Sequence, residues 1–344
     1  MEATQLAGRI IDVLSEPFEI NGHQITVGAS AGVAFGPQDG ASVEQLLKCA
    51  DMALYRAKSE GRGVCRLFHP EMDAKMQRRR AIELDLRRAL PEGQLVLFYQ
   101  PIVSARTRAV VGFEALLRWR HPVKGLIPPG EFIPLAEETG MIVPIGEWVL
   151  REACATAARW PVPTKVAVNV SARQFEAPNL IPSVASALSG SGLEPDRLEI
   201  EITETVLMQD TDATLTTLHR LRNIGITIAM DDFGTGYSSL SYLRCFPFGR
   251  IKIDQSFVRD LGKKRDSVAI VRAVAGLGDD LGMAITGEGV ETREQLEVLE
   301  RAGCTELQGY LFGRPGPADQ LHTFFRHSAR VTGGFAERFA DAVS

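Results

Sequence analysis

The feature that most constrains this chain is an alternation, from about residue 95 onward, of short β-rich runs with amphipathic stretches of ten or more residues. The runs are Leu95–Val103, Ala109–Trp119, Lys165–Val170, Arg197–Thr203, Ile226–Asp232, Arg250–Asp254, Met283–Glu288 and Thr305–Leu307. Amphipathic segments at Thr211–Ile224, Asp266–Leu281 and Thr292–Ala302 separate the later ones. Such alternation implies a parallel sheet covered by helices. About eight strands in roughly 240 residues favour closure into a barrel over an open doubly wound sheet. Only Ser104–Arg108 joins the first two runs, too little for a parallel crossover, so that pair must be antiparallel. The expected fold is α/β, a modified TIM-type (β/α)8 barrel with an antiparallel first strand, over residues 91–331.

Upstream lies a small α+β fragment, residues 1–70. Leu6, Ile10 and Leu14 recur at fours, as one helix face requires, and Asn21-Gly22 between apolar runs marks a hairpin turn. A second helix is expected from Ser42 to Ser59, stopped near Gly61. Residues 71–90 read as a connecting helix whose basic side chains face solvent and whose buried stripe is Ile82, Leu86 and Leu90. Residues 332–344 read as a C-terminal tail.

Composition excludes several classes. A formal net charge of -5 lacks the basic surplus of a polymeric nucleic-acid binder. The five cysteines are far apart and odd in number, which argues against a disulfide framework or a thiolate zinc site. The six histidines are equally scattered. No apolar stretch reaches the roughly 18 residues that span a bilayer, and the N-terminus carries no signal-peptide pattern, so the chain reads as cytoplasmic.

Almost every β-rich run closes on a side chain that an apolar barrel would not choose. Glu114 closes the second, Asn169 the third, and Glu201 with Glu204 the fourth. Asp231 and Asp232 close the fifth, Lys252 and Asp254 the sixth, Glu288 the seventh and Gln308 the eighth. In a barrel the C-terminal strand ends converge on the face where active sites are built. Crowded carboxylates take up protons unless cations neutralise them. Hard oxygen donors with one amide suit Mg²⁺ or Mn²⁺ and suit Zn²⁺ poorly. Two such ions ~3.5–4 Å apart activate water and stabilise a leaving oxygen, which points to phosphate-ester hydrolysis.

Each piece alone has a plainer reading. Asp-Asp after a strand is a turn or cap signal, a lone Lys in Ile251-Lys252-Ile253-Asp254 suits an edge strand, and Asn169 before Ser171 suits a helix cap. Gly234-Thr235-Gly236 is a fragment of a phosphate-loop pattern and reads as a mobile loop. The conjunction at seven strand ends is what the plainer readings do not cover.

These residues resemble the EAL-domain family of cyclic di-GMP phosphodiesterases. Glu114-Ala115-Leu116 stands within Gly112-Phe113-Glu114-Ala115-Leu116-Leu117-Arg118-Trp119, preceded by Tyr99-Gln100-Pro101-Ile102. The segments Val168–Ser171, Glu199–Glu204, Asp231–Leu240, Ile251–Asp254, Glu288–Glu291 and Leu307–Phe312 follow in the family's order, and the likeness covers about residues 78 to 330. The resemblance implies that Glu114, Asn169, Glu201 and Asp231 hold one metal ion. It implies a second ion held by Asp232 and Glu288 and bridged by Asp231, the pair being two Mg²⁺ or Mn²⁺. Lys252 would act with Asp231 and Glu288 in catalysis, contacting the attacking water or the scissile phosphate. Gln100, Arg118, Asp254 and Gln308 would bind the dinucleotide, Glu204 would anchor the loop from Phe233 to Leu240, and Glu291 would support the metal shell. The implied product is linear pGpG. Because the Phe233–Leu240 loop carries two glycines beside Asp232, its conformation is expected to gate the second metal, through contacts that the adjoining helix makes in a homodimer. The alternative is a receptor that binds cyclic di-GMP without cleaving it.

The N-terminal piece, through Ser30–Gly36, Leu46–Lys58 and Gly61-Arg62-Gly63, resembles the C-terminal half of a GGDEF diguanylate-cyclase domain. The signature that names that domain is absent, which excludes cyclase activity for this sequence. The fragment is expected to expose sheet edge and apolar surface and to be mobile or packed against a partner. Two departures stand out in the barrel: Gly287 where the family commonly has Ala, and Gly249, expected to loosen entry to the sixth strand.

Overall fold

The computed structural model describes residues 2–207, 211–234, 245–261 and 265–328. The expected tail, 332–344, and most of the Phe233–Leu240 loop lie outside the described residues. The chain divides into two compact units, Met1–Arg87 and Arg88–Ser344.

In the first unit a helix runs over Glu2–Ser15. Its buried residues are Ala7 and Ile11, whereas the Leu6, Ile10 and Leu14 face points outward. The hairpin forms as its turn chemistry dictates: Phe18–Ile20 pairs with His23–Ile25 around Asn21 and Gly22, both at positive φ (52° and 79°). Ser42 caps the helix Val43–Ser59, accepting from the Gln45 N–H. Met52 and Ala53 of this helix form a small core with Met72 of the helix Pro70–Ala89. Ile82, Leu86 and Ala89 are the buried positions farther along, and Leu90 is half-buried. The unit leaves Leu6, Ile10, Val13, Ile20 and Val27 exposed, as expected of a fragment with too little core of its own.

In the second unit eight strands close into a barrel: β1 (Leu95–Ser104), β2 (Val110–His121), β3 (Lys165–Asn169), β4 (Leu198–Thr203), β5 (Thr227–Phe233), β6 (Arg250–Ile253), β7 (Ala284–Gly287) and β8 (Glu306–Gln308). From β2 to β8 neighbours pair in parallel and in chain order, and β1 lies antiparallel between β8 and β2. Alternation places Val166, Val168, Ile200, Ile202, Ile228, Met230, Ile251 and Ile253 on the outer face, buried under the helical ring. The helix Ile142–Ala158, for example, packs on β3 and on the helix Leu180–Ser191. No crossover helix joins β1 to β2. Part of their outer face is instead covered by aromatic rings: Trp160 lies 5.9 Å from Tyr99 and 5.0 Å from Phe113, and Phe325 lies 5.5 Å from Phe113.

Two sequence expectations need correcting. Glu114 does not close β2, which runs on to His121 and pairs with Gly125–Ile127. Gly249 does not loosen the entry to β6. Its N–H donates to Ile228 O (2.9 Å), and its carbonyl accepts from Ala284 N (3.0 Å). A Cβ there would stand 3.0 Å from Thr227 Cγ2, so glycine fits a close approach. Gly287 has a similar cause, since an added methyl would lie 2.9 Å from Leu299 Cδ1.

Candidate active site at the barrel mouth

The inner face of the barrel carries the polar residues. Alternation along β2, β4, β5 and β6 points Glu114, Glu201, Asp231 and Lys252 inward, and all four are buried. Glu288 follows β7 directly, with its N–H held by Ile253 O (3.2 Å). Lys252 Nζ is the point of convergence: it lies 2.7 Å from Glu288 Oε1, 2.8 Å from Glu201 Oε2, 3.1 Å from Asp231 Oδ1 and 3.8 Å from Glu114 Oε2.

Amides orient Glu114. Asn169 Nδ2 donates to its Oε1 (2.6 Å), and Gln308 Nε2 donates to its Oε2 (2.5 Å). Gln308 also reaches Gln100 Oε1 (3.1 Å), whose own Nε2 donates to Gly313 O (3.2 Å). Gln100 and Gln308 are both buried, and in this structure the Gln308 amide serves the Glu114 carboxylate while Gln100 backs Gln308. Asn169 is exposed at the mouth, and Ser171, not Asn169, caps the next short helix.

The Asp231–Asp232 pair owes its arrangement to a backbone irregularity. Met230 pairs with Ile251 and Phe233 with Ile253, so β5 spends one more residue than β6 over this interval. Asp232 takes φ 54°, and its N–H donates to Asp231 Oδ1 (3.0 Å). A regular strand would send adjacent side chains to opposite faces. Here oxygens of Asp231, Asp232 and Glu288 all lie within 4.8 Å of one another. A non-glycine residue at positive φ costs of order 1–3 kcal/mol and persists at sites that use it.

Glu204 begins a short helix, Glu204–Leu207, and its Oε1 accepts from Gly234 N (2.9 Å), the first residue beyond β5. Asp254 caps the helix Gln255–Arg259 through Ser256 N (3.0 Å). Arg118 is half-buried, with its guanidinium 5.7 Å over the Phe98 ring. Glu291 is exposed, and its N–H donates to Gln295 Oε1 (2.8 Å); it does not belong to the Asp231–Asp232–Glu288 group.

The electrostatics are those of a carboxylate cluster facing too little positive charge. Burial pushes Glu288 up to about 8, an effect that Lys252 opposes and Asp231 reinforces. Burial likewise raises Glu201 well above its ordinary value, and burial with Asp231 and Asp254 raises Asp232 to about 6. For Glu114 burial acts upward, yet Lys252 and the amides of Gln308 and Asn169 outweigh it and hold the carboxyl low. Burial acts against the Lys252 charge, but its four carboxylates raise it well above the usual lysine range. Glu201 Oε1 is buried with no hydrogen-bond partner among the described residues. That orphaned oxygen, the raised carboxylates and the all-oxygen donor set fit hard divalent cations.

Sequence reasoning passed over a second polar layer beneath the mouth, formed by Glu199, Arg250 and Glu306. The signal was available: each stands two residues before Glu201, Lys252 or Gln308, and so shares its face of the strand.

Fold and site together define an α/β barrel whose C-terminal mouth gathers carboxylates around one lysine. A family model described as the EAL domain matches residues 83–315, and one described as the diguanylate cyclase, GGDEF domain matches residues 1–64. This chain belongs to the EAL-domain family. It is 47% identical over 93% of its length to the bifunctional diguanylate cyclase/cyclic di-GMP phosphodiesterase MucR of Pseudomonas aeruginosa. It is 40% identical over 94% of its length to the cyclic di-GMP phosphodiesterase NbdA of the same organism. The chain spans less than half of these curated relatives, 47% of the first and 42% of the second. A solved structure, "PaMucR Phosphodiesterase, c-di-GMP complex", matches with a TM-score of 0.68 and 51% identity, covering 70% of this chain and 99% of that one.

Proposed function

We propose that this chain hydrolyses one phosphodiester of cyclic di-GMP, opening the ring to linear pGpG with two Mg²⁺ or Mn²⁺ ions at the barrel mouth. The observation that carries the reading is the convergence of Glu114, Glu201, Asp231 and Glu288 on Lys252 Nζ. In this reading Glu114, Asn169, Glu201 and Asp231 hold one ion, and Asp231, Asp232 and Glu288 the other. Bound there, the pair supplies an acidified water and a clamp for charge developing in an in-line displacement.

The remaining work falls to the chain itself. Lys252 keeps its proton among its carboxylates, so it acts as a hydrogen-bond donor and fixed positive charge towards the attacking water or scissile phosphate, not as the general base. Asn169 and Gln308 orient Glu114, with Gln100 behind Gln308. Gln100, Arg118, Asp254 and Gln308 bind the dinucleotide, Arg118 and Asp254 from partly exposed positions. Glu204 holds the start of the loop after β5, and Glu291 supports the metal shell from outside the cluster. The domain division is a catalytic barrel over 91–331, a connecting helix over 71–90, a GGDEF-like remnant over 1–70 without the cyclase signature, and a tail over 332–344. The chain works in the cytoplasm as a homodimer. Among the described residues no helix is long and apolar enough to cross a membrane.

Incubating the purified chain with cyclic di-GMP and Mg²⁺ or Mn²⁺, then separating the products by chromatography, tests the reading. Formation of pGpG is expected. Tight binding of cyclic di-GMP without pGpG would replace the hydrolase with a receptor.

A further inference from the structure

Barrels of this type usually fill the layer beneath their mouth with branched apolar side chains. This barrel has an ionic one. Arg250 is buried on β6 and bridges two carboxylates on strands that do not touch β6. Nη1 lies 3.0 Å from Glu199 Oε1 on β4, and Nη2 lies 2.9 Å from Glu306 Oε2 on β8. Nη2 also donates a hydrogen bond to Glu306 Oε1 (3.0 Å), whereas the Glu199 contact is an ion pair without such alignment. Thr286 Oγ1 on β7 reaches Glu306 as well (3.5 Å). Burying such a triad does little for stability, because desolvation cancels most of the attraction, and apolar replacement often leaves a fold as stable or more so. Its location gives it another use. The three members sit two residues before Glu201, Lys252 and Gln308, so each lies directly beneath a site residue on its own strand.

Resting on the hydrolase reading, we propose that Arg250 is a positioning residue for the metal centre. By tying β4 and β8 to β6 one layer down, it fixes the spacing of Glu201, Lys252 and Gln308. Through Gln308 it fixes the orientation of Glu114. A residue that holds ligands without touching the ion typically changes metal affinity about 10–100-fold when lost.

Two variants of the full chain test this. The first is Arg250→Lys, which keeps a positive charge but cannot span both carboxylates as a planar fork. The second is the neutral triple Glu199→Gln, Arg250→Met, Glu306→Gln, which removes the charges of Arg250 and of both its carboxylates. Mn²⁺ binding by titration calorimetry, thermal unfolding, and kcat and KM for cyclic di-GMP are measured on both and on wild type. The expected result is a triple variant that melts at or above wild type yet binds Mn²⁺ about tenfold more weakly or worse. Its kcat at saturating Mn²⁺ should fall by about tenfold or more while KM stays within about threefold, and Arg250→Lys should shift the same way by less. Wild-type Mn²⁺ affinity and kcat in a folded triple variant would overturn the proposal, and so would the same result in Arg250→Lys should the triple fail to fold. A wild-type chain that binds no Mn²⁺ would remove the hydrolase reading and this inference together. One that binds Mn²⁺ and matches its variants removes the inference alone.

Discussion

At the scale of the residue, the site is a set of carboxylates that cannot all ionise without help, and this gives it a pH signature. Glu288, raised to about 8 from an ordinary 4.5, keeps a proton in the native state that the unfolded chain has released. Its stabilising contribution is therefore full below about 4.5 and is lost as pH rises through about 8. Asp232, raised to about 6 from 3.8, adds the same sign over a lower window. A cation bound there displaces these protons, so metal affinity should rise with pH until about 8. Mn²⁺ titrations in buffers of different ionisation enthalpy should show proton release near pH ~6.5 that fades by about pH 8.5; release that does not vary with pH would contradict this. Lys252→Arg should keep a wild-type-shaped pH–rate profile, because the residue supplies charge and not proton transfer. Complete inactivity with intact metal binding would count against that role. Glu114, Glu201, Asp231 and Lys252 were legible in the sequence because an ionisable side chain within an apolar run is costly to bury unless a partner or ligand compensates it. The bond from Gln308 to Glu114, with Gln100 behind Gln308, was not, because it depends on how β8 and the antiparallel β1 come into register, which the sequence does not mark.

At the scale of the element, the strand–helix alternation read from the sequence became the strands of the barrel, including the antiparallel β1 forced by its short connection. The misplacement of Glu114 has a physical cause: β2 continues past the mouth to pair with Gly125–Ile127. The β5 irregularity was equally hidden, since an extra residue in a strand leaves no change in hydrophobic pattern. Two substitutions test these local arguments. Glu204→Gln should weaken the tie to Gly234, a hydrogen bond to a charged group worth ~1.5–3 kcal/mol, and lower kcat about tenfold or more with little loss of melting temperature. Unchanged kcat would show that Glu204 only terminates β4. Gly287→Ala places a methyl against Leu299 and should cost about 1–3 kcal/mol in denaturant unfolding, with Leu299→Val restoring part of it. No loss of stability would mean that Leu299 has room to move.

At the scale of the whole molecule, the two units differ in how well they bury themselves. The barrel has a continuous core, whereas the first unit has a small core around Met52, Ala53 and Met72 and leaves much apolar surface open. Cyclic di-GMP, added with a divalent cation that does not support its hydrolysis, should raise the melting temperature of the barrel, by the mass action of a ligand on the folded state that binds it. An unchanged melting temperature would contradict binding at the barrel mouth. The homodimer reading predicts specific activity that falls on dilution through the dissociation range, and constant activity would argue against gating between copies. The measurement that bears most directly on the account is anomalous diffraction from crystals grown with Mn²⁺. It should show two peaks at the barrel mouth, ~3.5–4 Å apart, with Asp231 between them. Peaks elsewhere on the surface, or none among Glu114, Asn169, Glu201, Asp231, Asp232 and Glu288, would contradict it.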